Sequence, residues 1–249
     1  VTPLIEAVLG EEAFGVLRTV FWNATMPCLA FPNPRLVRQL KHIFGMQRAS
    51  SFRLERGLDS GRLDGRRLYR APVDDKVFKR KQLIIENAWN ITLLVDASLS
   101  MGRNERRGWQ LAEAGFATLY EGAKSSQNRL DVLAYIERCE QCEVIRLLHH
   151  GRLHSTLPEG RTPSGQAIIA AALKMPRDKR RLIIHVTDGE PNCGLSVSYA
   201  LEFCRREGID LITLGCGYNA HLKEQLQEQY GDSLYLLYSI QQFPEAMVT

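Results

Sequence analysis

The sequence predicts an α/β fold: a doubly wound, mostly parallel sheet flanked by helices, preceded by a helical and basic N-terminal extension. Three observations carry that expectation. Apolar strands at Asn90–Asp96, Leu182–Thr187 and Ile209–Gly215 are hydrophobic along nearly their whole length, as strands covered on both faces must be. Amphipathic segments of helical spacing separate them, so the sheet has helices to cover it. Two of the strands run out into a carboxylate, Asp96 and Asp188, at the end where open parallel sheets gather ligands. Residues 1–88 read as the extension and residues 89–249 as the sheet domain.

In chain order, Pro3–Ala24 has apolar residues at helical spacing (Leu4, Val8, Phe14, Leu17, Phe21), and Pro27, Pro32 and Pro34 end it. Arg35–Phe44 reads as a second short helix closed by Gly45. Ser50–Ala71 is charged and punctuated by glycine, which predicts an irregular or partly helical arm. Leu83–Ile85 suits an edge strand. After the first sheet strand, Trp109, Ala112, Phe116, Leu119 and Tyr120 mark a helix with one apolar face. Leu130–Ile136 and Glu143–Leu148 form a strand pair, and Pro163–Met175 a helix opened by a proline at its first position. The remainder alternates: strand Leu182–Thr187, helix Ser196–Glu207, strand Ile209–Gly215, helix Ala220–Tyr230, short strand Leu234–Leu237 and a terminal helix from Gln241.

Chemistry concentrates at the strand ends. The segment NITLLVDASLSM, Asn90–Met101, ends its strand in Asp-x-Ser-x-Ser, while RLIIHVTDGE, Arg181–Glu190, ends in Thr-Asp-Gly. Asp96 and Asp188 would neutralise a hard dication, and the hydroxyls of Ser98, Ser100 and Thr162 would add oxygen ligands without adding charge. Mg²⁺ takes one or two carboxylates and keeps exchangeable water, so such a site retains a position for an outside anion. Mn²⁺ accepts the same hard oxygens. The expected occupant of the open position is a carboxylate on a protein partner. Thr162 before Pro163 also suits a plain helix cap, and Glu190 and Asn192 lie close enough in sequence to reach the same rim.

This set of residues resembles the metal-ion-dependent adhesion site (MIDAS) of von Willebrand factor A (VWA) domains: Asp-x-Ser-x-Ser, a distant Thr and a distant Asp. The resemblance spans Asn90 to the C-terminus. Two positions depart from the pattern. Leu99 stands between the serines where the family usually has Gly, and is tolerated if its φ stays negative. Arg161 stands before the threonine, placing a cation beside the metal. Within the superfamily, GLDSGRLDGRRLYR (Gly57–Arg70) and Val77–Arg80 are similar to the lead-in of cobaltochelatase CobT-type subunits. TPSGQA (Thr162–Ala167) and RRLIIHVTDGEPN (Arg180–Asn192) are similar to the nitric oxide reductase activation protein NorD. Those resemblances imply a docking subunit of an AAA+ ATPase-driven complex, of the cobalt or magnesium chelatase or MoxR-type class. The chain has no phosphate-binding Gly-x-x-x-x-Gly-Lys-Ser/Thr loop, so nucleotide hydrolysis would belong to the partner.

Composition narrows the alternatives. With 249 residues, 45% hydrophobic and 24% charged, the chain can bury a substantial core. No stretch has the length of a membrane span and the N-terminus does not read as a signal sequence, so the expected location is cytoplasmic. An extracellular adhesion domain, which would use the same ion, should show a signal and disulfides. A metal-dependent hydrolase or phosphotransferase should show a second carboxylate near Asp96, or a base and a lysine. Six cysteines are too scattered for a disulfide framework. Cys139 and Cys142 form the one Cys-x-x-Cys pair; with His149, His150 and His154 a zinc site is conceivable, but a hairpin turn is the better reading. Cys204 and Cys216 read as core thiols. Net charge is +4, and Arg48, Arg53, Arg56, Arg62, Arg66, Arg67, Arg70, Lys76, Lys79, Arg80 and Lys81 crowd one segment. Glu55, Asp59, Asp64, Asp74 and Asp75 interrupt that run, which favours a solvated or protein-docking face over nucleic acid.

Overall fold

The computed structural model describes residues 2–9, 16–46, 50–85, 89–102, 108–124, 128–189, 191–216 and 220–237. The elements are α1 (Thr2–Leu9), β1 (Arg18–Asn23), β2 (Met26–Pro27), α2 (Pro34–Met46), β3 (Ser50–Leu58), β4 (Arg62–Leu63), β5 (Phe78–Ile85) and β6 (Trp89–Asp96). There follow α3 (Leu99–Gly102), α4 (Gly108–Ala123), β7 (Arg129–Arg138), β8 (Gln141–Arg146), β9 (Leu148–His149), β10 (Arg152–Ser155), α5 (Ser164–Lys174) and β11 (Arg180–Thr187). The last are α6 (Val197–Glu207), β12 (Ile209–Cys216), α7 (Ala220–Tyr230) and β13 (Leu234–Leu237). The helix expected from Gln241 lies outside the described residues.

The chain divides into two compact units, residues 1–44 with 89–249 and residues 45–88. In the larger unit a seven-stranded sheet has the order β1-β8-β7-β6-β11-β12-β13. Strands β7, β6, β11, β12 and β13 are mutually parallel, whereas β8 returns antiparallel to β7 and β1 runs parallel to β8. The period-2 alternation of a strand explains why β6 is apolar throughout. Ile91, Leu93 and Val95 face a core built with Leu40 and Phe44 of α2 and Trp109, Phe116 and Leu119 of α4. Leu94 faces a second core with Ile168 and Ile169 of α5, Phe203 of α6 and Leu226 of α7. Burying one such side chain is worth roughly 1.5–3 kcal/mol, so each face of β6 anchors a helical layer. Gly122 on α4 permits close approach to α2: a Cβ there would lie 2.7 Å from that of Leu40.

Sequence patterning groups residues 1–44 with 45–88, but in the structure they pack with the sheet. The helix expected over Pro3–Ala24 is two elements, α1 and then β1, whose residues Arg18 to Asn23 pair in register with Gln141 to Arg146. The Leu17 N–H donates to Gln166 Oε1 at 2.8 Å, and Gln166 Nε2 donates to Thr19 Oγ1 at 2.7 Å, fixing this strand to α5. The smaller unit is also a sheet, not an irregular arm. Strand β5 pairs antiparallel with β3 over Ser50↔Ile85 to Leu58↔Phe78 and with β4 at its start. Asp64 is the buried polar residue of this ribbon. Its carboxylate lies 3.6 Å from both Arg56 Nε and Lys79 Nζ.

Candidate metal centre

Register brings the two carboxylate-bearing strand ends together. Strands β6 and β11 are parallel neighbours with Val95 opposite Val186, so one step further Asp96 meets Thr187 and the chain turns out at Asp188. The Thr187 hydroxyl donates to Asp96 Oδ2 at 2.8 Å. On the other carboxylate oxygen, the Ser98 N–H donates to Asp96 Oδ1 at 2.8 Å and so folds the Asp-x-Ser turn back over the strand end. Ser100 Oγ donates to Asp188 Oδ1 at 2.7 Å, and the Ser98 and Ser100 hydroxyls lie 2.9 Å apart. Because the Ser100 proton is committed to Asp188, Ser98 is the donor between the serines. Four of the five expected ligands therefore form one hydrogen-bonded chain.

Thr162 reaches this rim through its backbone. The Thr162 N–H donates to the Asn192 side-chain oxygen at 2.9 Å, and the Asn192 N–H donates to the Thr162 carbonyl at 3.2 Å, tying it to the loop after Asp188. On the other side, the Leu99 N–H donates to the Gly160 carbonyl at 3.2 Å and the Glu159 N–H to the Ala97 carbonyl at 2.9 Å. Gly160 is obligatory for this stitching: its φ is +72° and a Cβ would overlap the Glu137 carbonyl. Helix α5 takes Pro163 as its N-cap with no side-chain cap bond. Among the described residues, the Thr162 hydroxyl makes no protein hydrogen bond and is 3% exposed as a residue, so it is not committed to capping.

Electrostatics single out the cluster. Burial raises Asp96, the Asp188 carboxylate raises it further, and the Ser98 and Thr187 hydrogen bonds recover only part, leaving it pushed up from 3.8 to about 7. That shift corresponds to about 4 kcal/mol against ionisation. Burial also raises Asp188, with the Ser100 hydrogen bond opposing. Among the described residues no Lys, Arg or His forms an ion pair with either carboxylate. A buried and a half-buried carboxylate bridged by the Ser98 and Ser100 hydroxyls, with no described counter-cation, suit a hard dication, which would supply the missing positive charge.

Other expectations fare differently. The Arg161 guanidinium is turned to Glu137, its Nε lying 2.8 Å from Glu137 Oε2. Leu99 is not among the described residues with positive φ, so the side chain is accommodated where Gly is usual. Asn192 supports Thr162 as described, whereas Glu190 lies outside the described residues. Cys139 lies inside a two-residue hairpin turn and Cys142 just beyond it: Cys139 (φ 52°) and Glu140 (φ 59°) are both left-handed, as a type I′ turn requires. Cys139 is exposed and Cys142 buried, so the pair does not converge. His149 instead stacks on His154 with ring centroids 3.8 Å apart, and among the described residues no group of three or more His, Cys, Asp or Glu is placed to hold a metal. Cys204 is buried, while the Cys216 side chain lies outside the description.

Thr187 was not in the expected ligand set. The dipeptide Thr-Asp at the strand end is its only sequence signal, because its partner Asp96 is 91 residues away. Beneath it, the Tyr135 hydroxyl lies 2.7 Å from His185 Nε2 and 2.9 Å from Ser164 Oγ, forming a buried polar floor between β7, β11 and α5.

No family model matches the sequence, and no curated protein matches it. Solved structures do match. Proximal thread matrix protein 1 from the mussel byssus, with a zinc-occupied MIDAS motif, aligns with TM-score 0.51 and 19% identity over 66% of this chain and 44% of that one. The fold is VWA-like. The pilus adhesin SpaC from Lactobacillus rhamnosus GG, in its open conformation, gives TM-score 0.53 and 12% identity over 68% of this chain and 30% of that one. This VWA-like chain thus spans less than half the length of either protein, and at these identities the likeness is one of fold. No helix among the described residues is long and apolar enough to cross a membrane.

Proposed function

We propose that this VWA-like chain is a metal-dependent protein-binding module. Asp96, Ser98, Ser100, Thr162 and Asp188 hold Mg²⁺, or Mn²⁺, and the ion's remaining position takes a carboxylate from a protein partner. The observation that carries this reading is the hydrogen-bonded run Asp96–Ser98–Ser100–Asp188 at two adjacent strand ends, buried at Asp96 and Ser98 and opening to solvent at Ser100, with no described cation to neutralise it. A zinc-occupied MIDAS motif in a protein of similar fold supports the same assignment.

The partner we favour is an AAA+ ATPase subunit inside the cell, of the chelatase or MoxR-type class. The resemblance of Gly57–Arg70 and Arg180–Asn192 to CobT-type and NorD proteins supports that choice. A second reading, an extracellular adhesion domain, draws support from the byssus protein and the pilus adhesin. Affinity purification of the tagged chain from native cells, with Mg²⁺ or with chelator, separates them. Recovery of an ATPase only with the ion supports the first reading. Ion-dependent recovery of a matrix or surface protein favours the second, and recovery of the same partners in chelator refutes both.

A further inference from the structure

From the smaller unit we infer a second docking surface, one for an acidic segment of a partner polypeptide with aliphatic residues interspersed. It is read from residues 45–88 alone and does not depend on the metal. That stretch holds eleven Lys and Arg against six Asp and Glu, an excess above the net +4 of the whole chain, so the remainder is nearly neutral. Strand pairing shows where part of the excess lies. In an antiparallel sheet, residues directly opposite each other point to the same face. Arg62 on β4 is opposite Lys79 on β5, and Lys79 is opposite Arg56 on β3, so three cations form one row across the ribbon. The approach of both Arg56 and Lys79 to the Asp64 carboxylate agrees with that shared face. Two residues along β3, on the same face, Leu54 stands opposite Lys81. At the bulge after Arg56, a Cβ on Gly57 would overlap the Arg67 guanidinium, which therefore lies against the strand next to Arg56.

Asp64 is shared by Arg56 and Lys79, while among the described residues neither Arg62 nor Arg67 forms an ion pair. Glu55, next to Arg56 on the strand, alternates to the opposite face, where it stands opposite Arg80. Leu54, Arg56 and Arg62 are exposed and Lys79 is half-buried, so the row is open to a partner. Asp64 shows how a carboxylate seats between two of its cations. Aliphatic surface then decides which kind of polyanion fits. Among the described residues of this unit, Leu54, Leu63, Leu68 and Val73 are exposed, against one exposed aromatic, Tyr69, on which a base could stack. A phosphate backbone offers those aliphatic side chains nothing to pack on, whereas an acidic polypeptide that also carries leucine or valine does.

The test titrates the full chain by NMR, in chelator at low salt, with acetyl-Glu-Leu-Glu-Glu-Leu-Glu-amide, whose extended form carries Glu and Leu on both faces. The peptide is expected to bind about threefold more tightly than its counterpart with glycine for leucine, through partial burial of one aliphatic side chain. Arg62→Glu should weaken binding about fivefold, the worth of one exposed ion pair, and the charge-keeping Arg62→Lys by less than about twofold. Leu54→Ala should remove the preference for the leucine peptide. Arg152→Glu, the same change of charge on an exposed residue of β10, should leave the affinity unaltered. No binding in chelator, equal affinity for the two peptides, or equal losses in R62E and R152E would overturn the proposal. So would a leucine preference that survives L54A. Tighter binding of an oligothymidylate of equal charge would also overturn it, by making the face one for nucleic acid.

Discussion

Asp64 in the ribbon unit and Asp96 in the sheet unit are almost equally hidden, at 1% and 0% exposure, yet the chain treats them in opposite ways. At Asp64, burial raises the carboxyl, but the Arg66 N–H and the Arg56 and Lys79 charges outweigh it and hold it below the usual range. At Asp96, burial and the neighbouring Asp188 both act upward, and only neutral hydrogen bonds oppose them. The first carboxylate is neutralised from within its own unit. The second is left with oxygens converging and no described cation, a costly arrangement unless something from outside completes it. The contrast separates a carboxylate neutralised within the fold from one left without a described counter-cation.

The largest expected effect concerns another buried titratable group in the sheet unit, one whose partners are the neutral hydroxyls of Tyr135 and Thr213. His185 is fully buried, and desolvation lowers it from 6.5 to about 3. Its folded value lies below its unfolded one, so its contribution is present above pH 6.5 and is lost as pH falls toward 3. The full window corresponds to roughly 5 kcal/mol. Chemical denaturation from pH 7 to pH 4 should therefore show a shallower loss of stability in His185→Gln than in the unaltered chain. Equal slopes would mean that the imidazole is not held neutral.

Charge removal tests the comparison itself. In chelator, Asp96→Asn should raise the midpoint of thermal unfolding, by roughly 2 kcal/mol of stability, because it relieves repulsion with Asp188 while keeping a side chain of the same shape. Asp188→Asn should act in the same direction by less, since Asp188 is only partly buried. Asp64→Asn should act in the opposite direction, leaving Arg56 and Lys79 without their shared acceptor and making residues 50–85 more susceptible to limited proteolysis. If all three variants destabilise the chain alike, the distinction between the two kinds of carboxylate is lost.

How much of this was legible in the sequence follows from how local each signal is. Strands β6, β11 and β12 announce themselves because burial on both faces demands an unbroken apolar run, and β13 falls on the expected Leu234–Leu237. Strand β1 was hidden because Leu4, Val8, Phe14, Leu17 and Phe21 happen to follow a helical interval, while the feature that makes it a strand, pairing with β8, lies over 120 residues away. The ribbon was hidden by its charges. Arg56 opposite Lys79 would repel, and only the fold shows that Asp64 sits between them. At the strand-end rim, residue types and spacing grouped Asp96, Ser98, Ser100 and Asp188, and the structure shows hydrogen bonds among them. The use of Arg161 by Glu137 and of Asn192 by Thr162 depends on loop geometry, which spacing does not encode.

The most direct measurement is calorimetric titration of the metal-free chain with Mg²⁺, beside Asp96→Asn and Thr162→Ala. The expected result is one site per chain, abolished in Asp96→Asn and weakened about tenfold in Thr162→Ala through loss of a single neutral oxygen ligand. Binding of undiminished affinity in Asp96→Asn, or no binding by the unaltered chain, would contradict the claim that these strand ends hold a dication.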